Sequence, residues 1–241
     1  MQKCFHSGEI RTGSMQLSPR ESHHLCSVAR VRIGETICVL NGCGTVAIGK
    51  LIAWDGKFAE VEIDILSEVE RPKCAVSLLQ ATLSSGNNDY VVREATAIGA
   101  SEIVFFESQN SESRLKNKSE NRLARWKIIA IEACKQSGNP FLPEISYCWK
   151  LAEMDASRFE AKIFGGLGPE SRPLKDAVSC HRNACSLCVA IGPEGDFSAS
   201  EYEYLKSHGF AACRFSKNIL RSETAAIYAL SAIDQLMGVG V

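Results

Sequence analysis

No run of 18 consecutive apolar residues occurs in the 241-residue sequence, so no segment reads as a membrane-spanning helix. The first residues, Met1 to His6, lack the basic start and apolar run of a secretory signal, and a cytoplasmic protein is expected. Net charge is also scarce, with 27 Lys and Arg against 28 Asp and Glu. Phosphate binding usually leaves a basic surplus, so the balance taken alone counts against nucleic acid. There is no internal repeat and no low-complexity tract. With 45% hydrophobic and 23% charged residues, the composition is that of a folded globular chain. No G-K-[ST] and no G-x-S-x-G is present, which removes the P-loop and the hydrolase nucleophile elbow. Cysteine, by contrast, is plentiful. The eleven thiols are odd in number and scattered from Cys4 to Cys213, and a chain this long needs no staples, so they read as reduced small hydrophobes.

What is there falls into two rhythms. Up to about residue 70, short apolar runs alternate with turn dipeptides. Thr36 to Leu40, Asn41-Gly42, Thr45 to Trp54, Asp55-Gly56 and Phe58 to Leu66 predict a meander of hairpins, as in a small barrel. In the last run Val61, Ile63 and Ile65 alternate with Glu60, Glu62 and Asp64, so one face is expected to be buried. Pro19 to Ala29 predicts a short helix carrying His23-His24. Arg71-Pro72-Lys73 reads as a linker, dividing a domain over 1–72 from one over 73–241.

Beyond the linker, strands and helices alternate. Strands are expected at Ala75–Leu83, Glu102–Glu107, Ala161–Phe164, Ser186–Ile191 and Ala212–Phe215. Helices are expected at Tyr90–Ile98, Asn117–Ser137, Pro173–Ser179, Ser198–His208 and Ser222–Met237. That order implies parallel pairing through crossover helices, hence an α/β domain covered on both faces.

Ligands in such sheets bind beyond the carboxyl ends of the strands. Two strand ends carry polar, glycine-rich chemistry. After the buried run Leu187–Ile191 comes Gly192-Pro193-Glu194-Gly195-Asp196-Phe197, then Ser198-Ala199-Ser200-Glu201, which has the spacing of a capping box. After Ala212–Phe215 comes Ser216-Lys217-Asn218-Ile219-Leu220-Arg221-Ser222-Glu223-Thr224-Ala225, opening an alanine-rich helix. Either loop alone admits a purely structural reading, a tight turn or a salt bridge. Two in succession point to a shared pocket. Other patterns are weaker. Adjacent His23 and His24 point apart and lack a third ligand, and Cys185-x-x-Cys188 has zinc spacing but places Cys188 in a buried strand, so no metal is expected. The Gly165-Gly166-Leu167-Gly168 turn lacks dinucleotide spacing.

I-G-P-E-G-D-F-S-x-x-E at 191–201 followed by I-L-R-S-E-T-A at 219–225 resembles the paired signature of the RsmE family. These are SPOUT-superfamily methyltransferases that modify N3 of a uridine in 16S ribosomal RNA. The resemblance extends over nearly the whole chain: His23-His24 with Arg30 and Arg32 resembles the family's PUA-like barrel motif, and Ala130–Gly138 with Pro143-Glu144-Ile145 its central helix and exit. It implies an α/β domain of the SPOUT type with a trefoil knot, preceded by a small PUA-like β-barrel, and a homodimer. Connection rules alone predict an unknotted, Rossmann-like sheet. The implied cofactor is S-adenosylmethionine, resting on Ile191, Gly192, Gly195, Ile219, Leu220 and Thr224. The implied partner is 16S rRNA or the small ribosomal subunit. The chain departs from the pattern at Asp196, Ser216 and Asn218, at Ala97-Ile98-Gly99, and in the missing basic residues of Ser84–Asn88 and Gly138–Pro140.

Methyl transfer to a ring nitrogen asks for alignment and a free lone pair, so the imide proton must leave or its anion must be stabilised. Arg221 is the candidate for holding charge on a carbonyl oxygen. Glu223 is expected to orient it or to take the proton, with Glu194 the other carboxylate. For RNA, Arg114, Lys116, Lys118, Arg122, Arg125 and Lys127 crowd into 14 residues with one acid, Glu120. Arg30 and Arg32 share one side of an expected strand by parity. Near-neutral overall charge therefore conceals a local basic run. Two other functions stay open: a SPOUT methyltransferase acting on another RNA position, and a non-catalytic RNA-binding or ribosome-assembly protein.

Overall fold

The computed structural model describes residues 1–111 and 119–237. By its contacts the chain divides into two compact units, Met1–Arg71 with Ile131–Leu142, and Pro72–Ala130 with Pro143–Val241.

In the first unit, β1 (Gln2–Phe5), β2 (Gly13–Gln16), β3 (Thr36–Leu40), β4 (Thr45–Trp54) and β5 (Ala59–Glu68) form one sheet in the order β1-β3-β4-β5-β2. The hairpins are where the turn residues predict them. Asn41 Oδ1 accepts from the backbone N–H of Cys43 and Thr45, and Asp55 Oδ1 from Lys57 and Phe58, with Gly42 and Gly56 at positive φ. Two edge strands extend the expected meander, β1 running parallel to β3 and β2 antiparallel to β5. The alternation of β5 holds for Val61 and Ile63, which are buried, and fails at Ile65, which is 56% exposed because the strand outruns the core. Helix α1 (Pro19–His23) starts at Ser18, whose hydroxyl accepts from the Glu21 N–H, and continues into a π-helical turn, His24–Val28. Arg30 and Arg32 follow in a loop, Arg30 at φ 56°, so the parity expectation for them is corrected: no strand orients these side chains. Glu21 is the buried anchor of this unit. Its carboxylate accepts from the Phe5 N–H and pairs with Lys135 Nζ at 3.0 Å, both side chains almost fully buried.

The second unit holds a seven-stranded, wholly parallel sheet. Its strands are β6 (Ala75–Ala81), β7 (Glu102–Phe106), β8 (Glu144–Cys148), β9 (Ala161–Gly165), β10 (Arg172–Pro173), β11 (Ser186–Ile191) and β12 (Ala211–Arg214), in the order β10-β12-β9-β11-β6-β7-β8. The helices are α2 (Ser85–Ile98), α3 (Ser119–Ser137, of which the part from Ile131 onward belongs to the first unit), α4 (Leu174–Ser179), α5 (Ala199–Ser207) and α6 (Ser222–Leu236). The chain is thus an α/β protein, with every strand and helix expected in this unit present to within a few residues except that α2 begins five residues early. Leu187 to Ile191 are buried throughout, as a central strand covered on both faces requires. Phe106, Phe164, Phe197, Leu205 and Phe210 fill one side. Because the sheet is parallel, the carboxyl ends of β6, β9, β11 and β12 share one edge, and α6 returns to pack on α2, α4 and the middle of the sheet.

Candidate active site

A cavity of about 670 Å³ opens at that edge, lined from the ends of β6, β9, β11 and β12 and from the head of α6. Its size is in the range of about 300–1,000 Å³ usual for small-molecule sites. Both signature segments reach it. Ile191, Gly192, Pro193, Glu194 and Asp196 come from the first, and Ser216, Asn218, Ile219, Leu220, Arg221 and Glu223 from the second.

The first loop is shaped by packing. A side chain at Gly192 would meet the Phe197 ring at 3.1 Å, and one at Gly195 would meet Asn110 at 3.2 Å. Gly195 does not line the cavity: its glycine character makes room for Asn110, whose amide donates to the carbonyls of Gly195 and Asp196. Of the two glycines expected under the cofactor, Gly192 lines the cavity and Gly195 stands beside it. Asp196 adopts φ 63°, the left-handed conformation that Asp tolerates better than most residues. It is secured there by its own Oδ1 accepting from the Phe197 N–H and by Tyr202, whose hydroxyl donates to Oδ2 at 2.9 Å. Burial, then the hydrogen bond and charge of Asp196, push the Tyr202 phenol well above its ordinary range, so it stays a donor. The capping box is formed as the spacing predicts, Ser198 and Glu201 exchanging bonds, and Glu201 also accepts from Ser108 and the Gln109 N–H.

The second loop meets the first through Ser222. Its hydroxyl donates to the Gly192 carbonyl at the cavity wall and accepts from the buried Gln80 Nε2 at 2.9 Å. Arg221 stands at the N-cap of α6, exposed and, among the described residues, in no ion pair; Glu223 is half-buried in the first turn and Glu194 exposed. Glu223 therefore shares the cavity with Arg221 without pairing to it. Thr224 is exposed and outside the lining, while its neighbours Glu223 and Ala225 line the cavity. Gly165, Gly166 and Leu167, set aside in the sequence for lack of dinucleotide spacing, line the opposite wall. A side chain at Gly165 would strike Phe215 at 2.9 Å, so the glycine lets that ring close on the strand end. The floor includes Cys213, whose thiol burial pushes up to about 12.

The surface expected to hold RNA is less open than the charge run suggests. Arg125 grips Asp89 from two nitrogens, with the Trp126 indole donating to the same carboxylate, and Arg122 donates to Ser85 Oγ at 2.8 Å. Arg114, Lys116 and Lys118 lie outside the described residues. Arg30 and Arg32 are exposed. Among the described residues no three metal-ligating side chains cluster, and no helix is long and apolar enough to cross a membrane.

Gly165, Gly166 and Gly192 offer bare backbone, Leu167, Ile191, Phe215 and Leu220 an apolar slot, and Glu194, Asp196 and Glu223 carboxylates. This donor set fits a cationic adenosyl cofactor such as S-adenosylmethionine. Residues 70–234 match the family model of an RNA methyltransferase domain and residues 17–64 that of an RNA methyltransferase PUA domain. The chain is 30% identical over 235 residues to ribosomal RNA small subunit methyltransferase E of Aquifex aeolicus, covering 95% of this chain and 97% of the relative. It is 27% identical over 216 residues to ribosomal RNA small subunit methyltransferase E 2 of Borreliella burgdorferi, covering 89% and 88%. Its fold matches that of the corresponding Neisseria gonorrhoeae enzyme bound to S-adenosyl methionine, with a TM-score of 0.87 at 24% identity over 98% of each chain.

Proposed function

Since the chain belongs to the ribosomal RNA small subunit methyltransferase E family, we propose that it methylates N3 of a uridine in 16S rRNA, using S-adenosylmethionine. The observation that carries this reading is the joining of both signature loops on one cavity, with Arg221, Glu223 and Glu194 on its wall. When bound, the cofactor supplies a methyl group on a sulfonium, whose sulfur departs as a neutral thioether. The N3 electron pair forms the new N–C bond while the C–S pair returns to sulfur. Arg221 donates to a carbonyl oxygen of the base and stabilises the imide charge as the N3 proton leaves. Glu194 and Glu223, unpaired by any cation among the described residues, are the acceptors for that proton.

Under the same reading the chain works in the cytoplasm, the last helix threads a trefoil knot, and two copies pair. The return of the chain from β12 to α6 over the middle of the sheet supports the knot. Exposed Tyr90 on α2 and Tyr228 on α6, helices that pack together, support a paired face. The first unit grips RNA around the target through Arg30 and Arg32. Labelled S-adenosylmethionine offered with free RNA, small subunits and whole ribosomes tests the assignment. Label is expected at N3 of one 16S uridine; label on a ribose or on tRNA overturns it.

A further inference from the structure

The cavity wall changes character along its length. Toward β9 it is glycine and Leu167, after β12 it mixes Cys213 and Phe215 with Arg214 and Ser216, and toward the heads of α2 and α6 it is polar, with Ser84, Asn87, Arg221 and Glu223. Asn87 is the member of the polar end with a half-buried amide that takes part in no hydrogen bond among the described residues. The backbone beneath it is held firmly. Asn88 is fully buried, its Oδ1 accepting from the Leu83 N–H at 3.0 Å and its Nδ2 donating to the Leu83 carbonyl at 2.8 Å. The first helical bond of α2, Asn88 N–H to the Ser84 carbonyl at 3.0 Å, closes the same turn. Asn87 thus stands on a fixed turn of backbone with the hydrogen-bonding capacity of its amide unspent.

We propose that Asn87 reads the target base by donating an Nδ2–H to one imide carbonyl while Arg221 donates to the other; this rests on the uridine-N3 reading above. The reacting nitrogen lies between two carbonyls, so recognition has to fall on the oxygens and leave N3 bare for in-line attack. As the N3 proton passes to a carboxylate, negative charge spreads onto those same oxygens, where a fixed donor stabilises it more than it stabilises the neutral base. Asn87 therefore both selects the imide and lowers the barrier.

The test is Asn87→Asp, which keeps the shape and replaces the donor by an acceptor, with Asn87→Ala as a second variant. Single-turnover methylation of small ribosomal subunits is followed across pH, with S-adenosylmethionine affinity measured by calorimetry and folding by thermal melting. Transfer is expected to fall by about 10²-fold or more in Asn87→Asp. The rate profile of both variants should move to higher pH, because an imide that has lost a donor holds its proton more tightly, and cofactor affinity should stay within a few-fold. An unchanged rate and an unmoved profile in both variants, beside an active wild type, overturn the role of Asn87 alone. A wild type that labels no uridine N3 overturns the underlying reading and the assignment together.

Discussion

Arg221 carries its charge at the head of α6 unshared with any acid among the described residues, and Ser222 beside it is locked into a three-membered hydrogen-bonded chain. The two neighbours should therefore fail differently. Arg221→Ala is expected to abolish turnover while leaving S-adenosylmethionine affinity nearly intact, because the guanidinium meets charge that develops in the transition state; calorimetry beside a labelled-transfer assay separates the two effects. Ser222→Ala takes a donor from the Gly192 carbonyl and one of two acceptors from the Gln80 amide, which keeps its bond to the Ala81 carbonyl, a penalty of about 1–3 kcal/mol. Its signature should be weaker cofactor binding and lower melting temperature, with kcat less affected. How far single residues were legible follows from what fixes them. Glu194, Arg221 and Glu223 are polar groups at strand ends, and the position of those ends is visible in the apolar runs. Gly195 and Thr224 belong to the same motifs and lie outside the cavity lining, since neither Asn110 nor the rotation of α6 is written in local spacing. Asn110, Gln80 and Tyr202 carry no local signal at all: each matters through a partner 85, 142 or 6 residues away.

At the scale of elements, β11 was plain because a central parallel strand is apolar on both faces, and β8 was hidden because Glu144–Cys148 is an edge strand only half-buried along its length. The start of α2 was obscured by Ser85-Gly86-Asn87-Asn88, whose residue types favour turns and which become helical only when Asn88 ties back to Leu83. In the first unit, the stretch Ile131–Leu142 is held to the sheet by Lys135 on Glu21 and by the Leu142 N–H on the Gly42 carbonyl. Replacing Lys135 by Met leaves a buried carboxylate uncompensated, and a loss of about 3–5 kcal/mol is expected in urea unfolding. A loss below about 1 kcal/mol would show that water reaches Glu21.

For the whole molecule, the balance of 27 basic and 28 acidic residues regains meaning once the cations are located. Arg125 is committed to Asp89 and Arg122 leans on Ser85, so two cations of the basic run between Arg114 and Lys127 are already engaged within the chain. RNA affinity should therefore depend weakly on salt. With about three phosphate contacts to single-stranded RNA, the logarithm of the binding constant should fall with a slope of about −2 against the logarithm of salt concentration. A slope steeper than about −5 in filter binding would show a broad basic surface instead.

The bond from Gln80 to Ser222 joins residues 142 apart in the chain, and it closes the floor on which both loops rest. Such a contact is among the last a folding chain can make, because a parallel sheet gathers its strands from distant sequence before any of them is rewarded. Everything from β6 to the head of α6 must then leave the ribosome that synthesises it before the cofactor has anywhere to bind. A nascent chain stalled before α6 should be silent, because until Ser222 emerges neither loop has its floor.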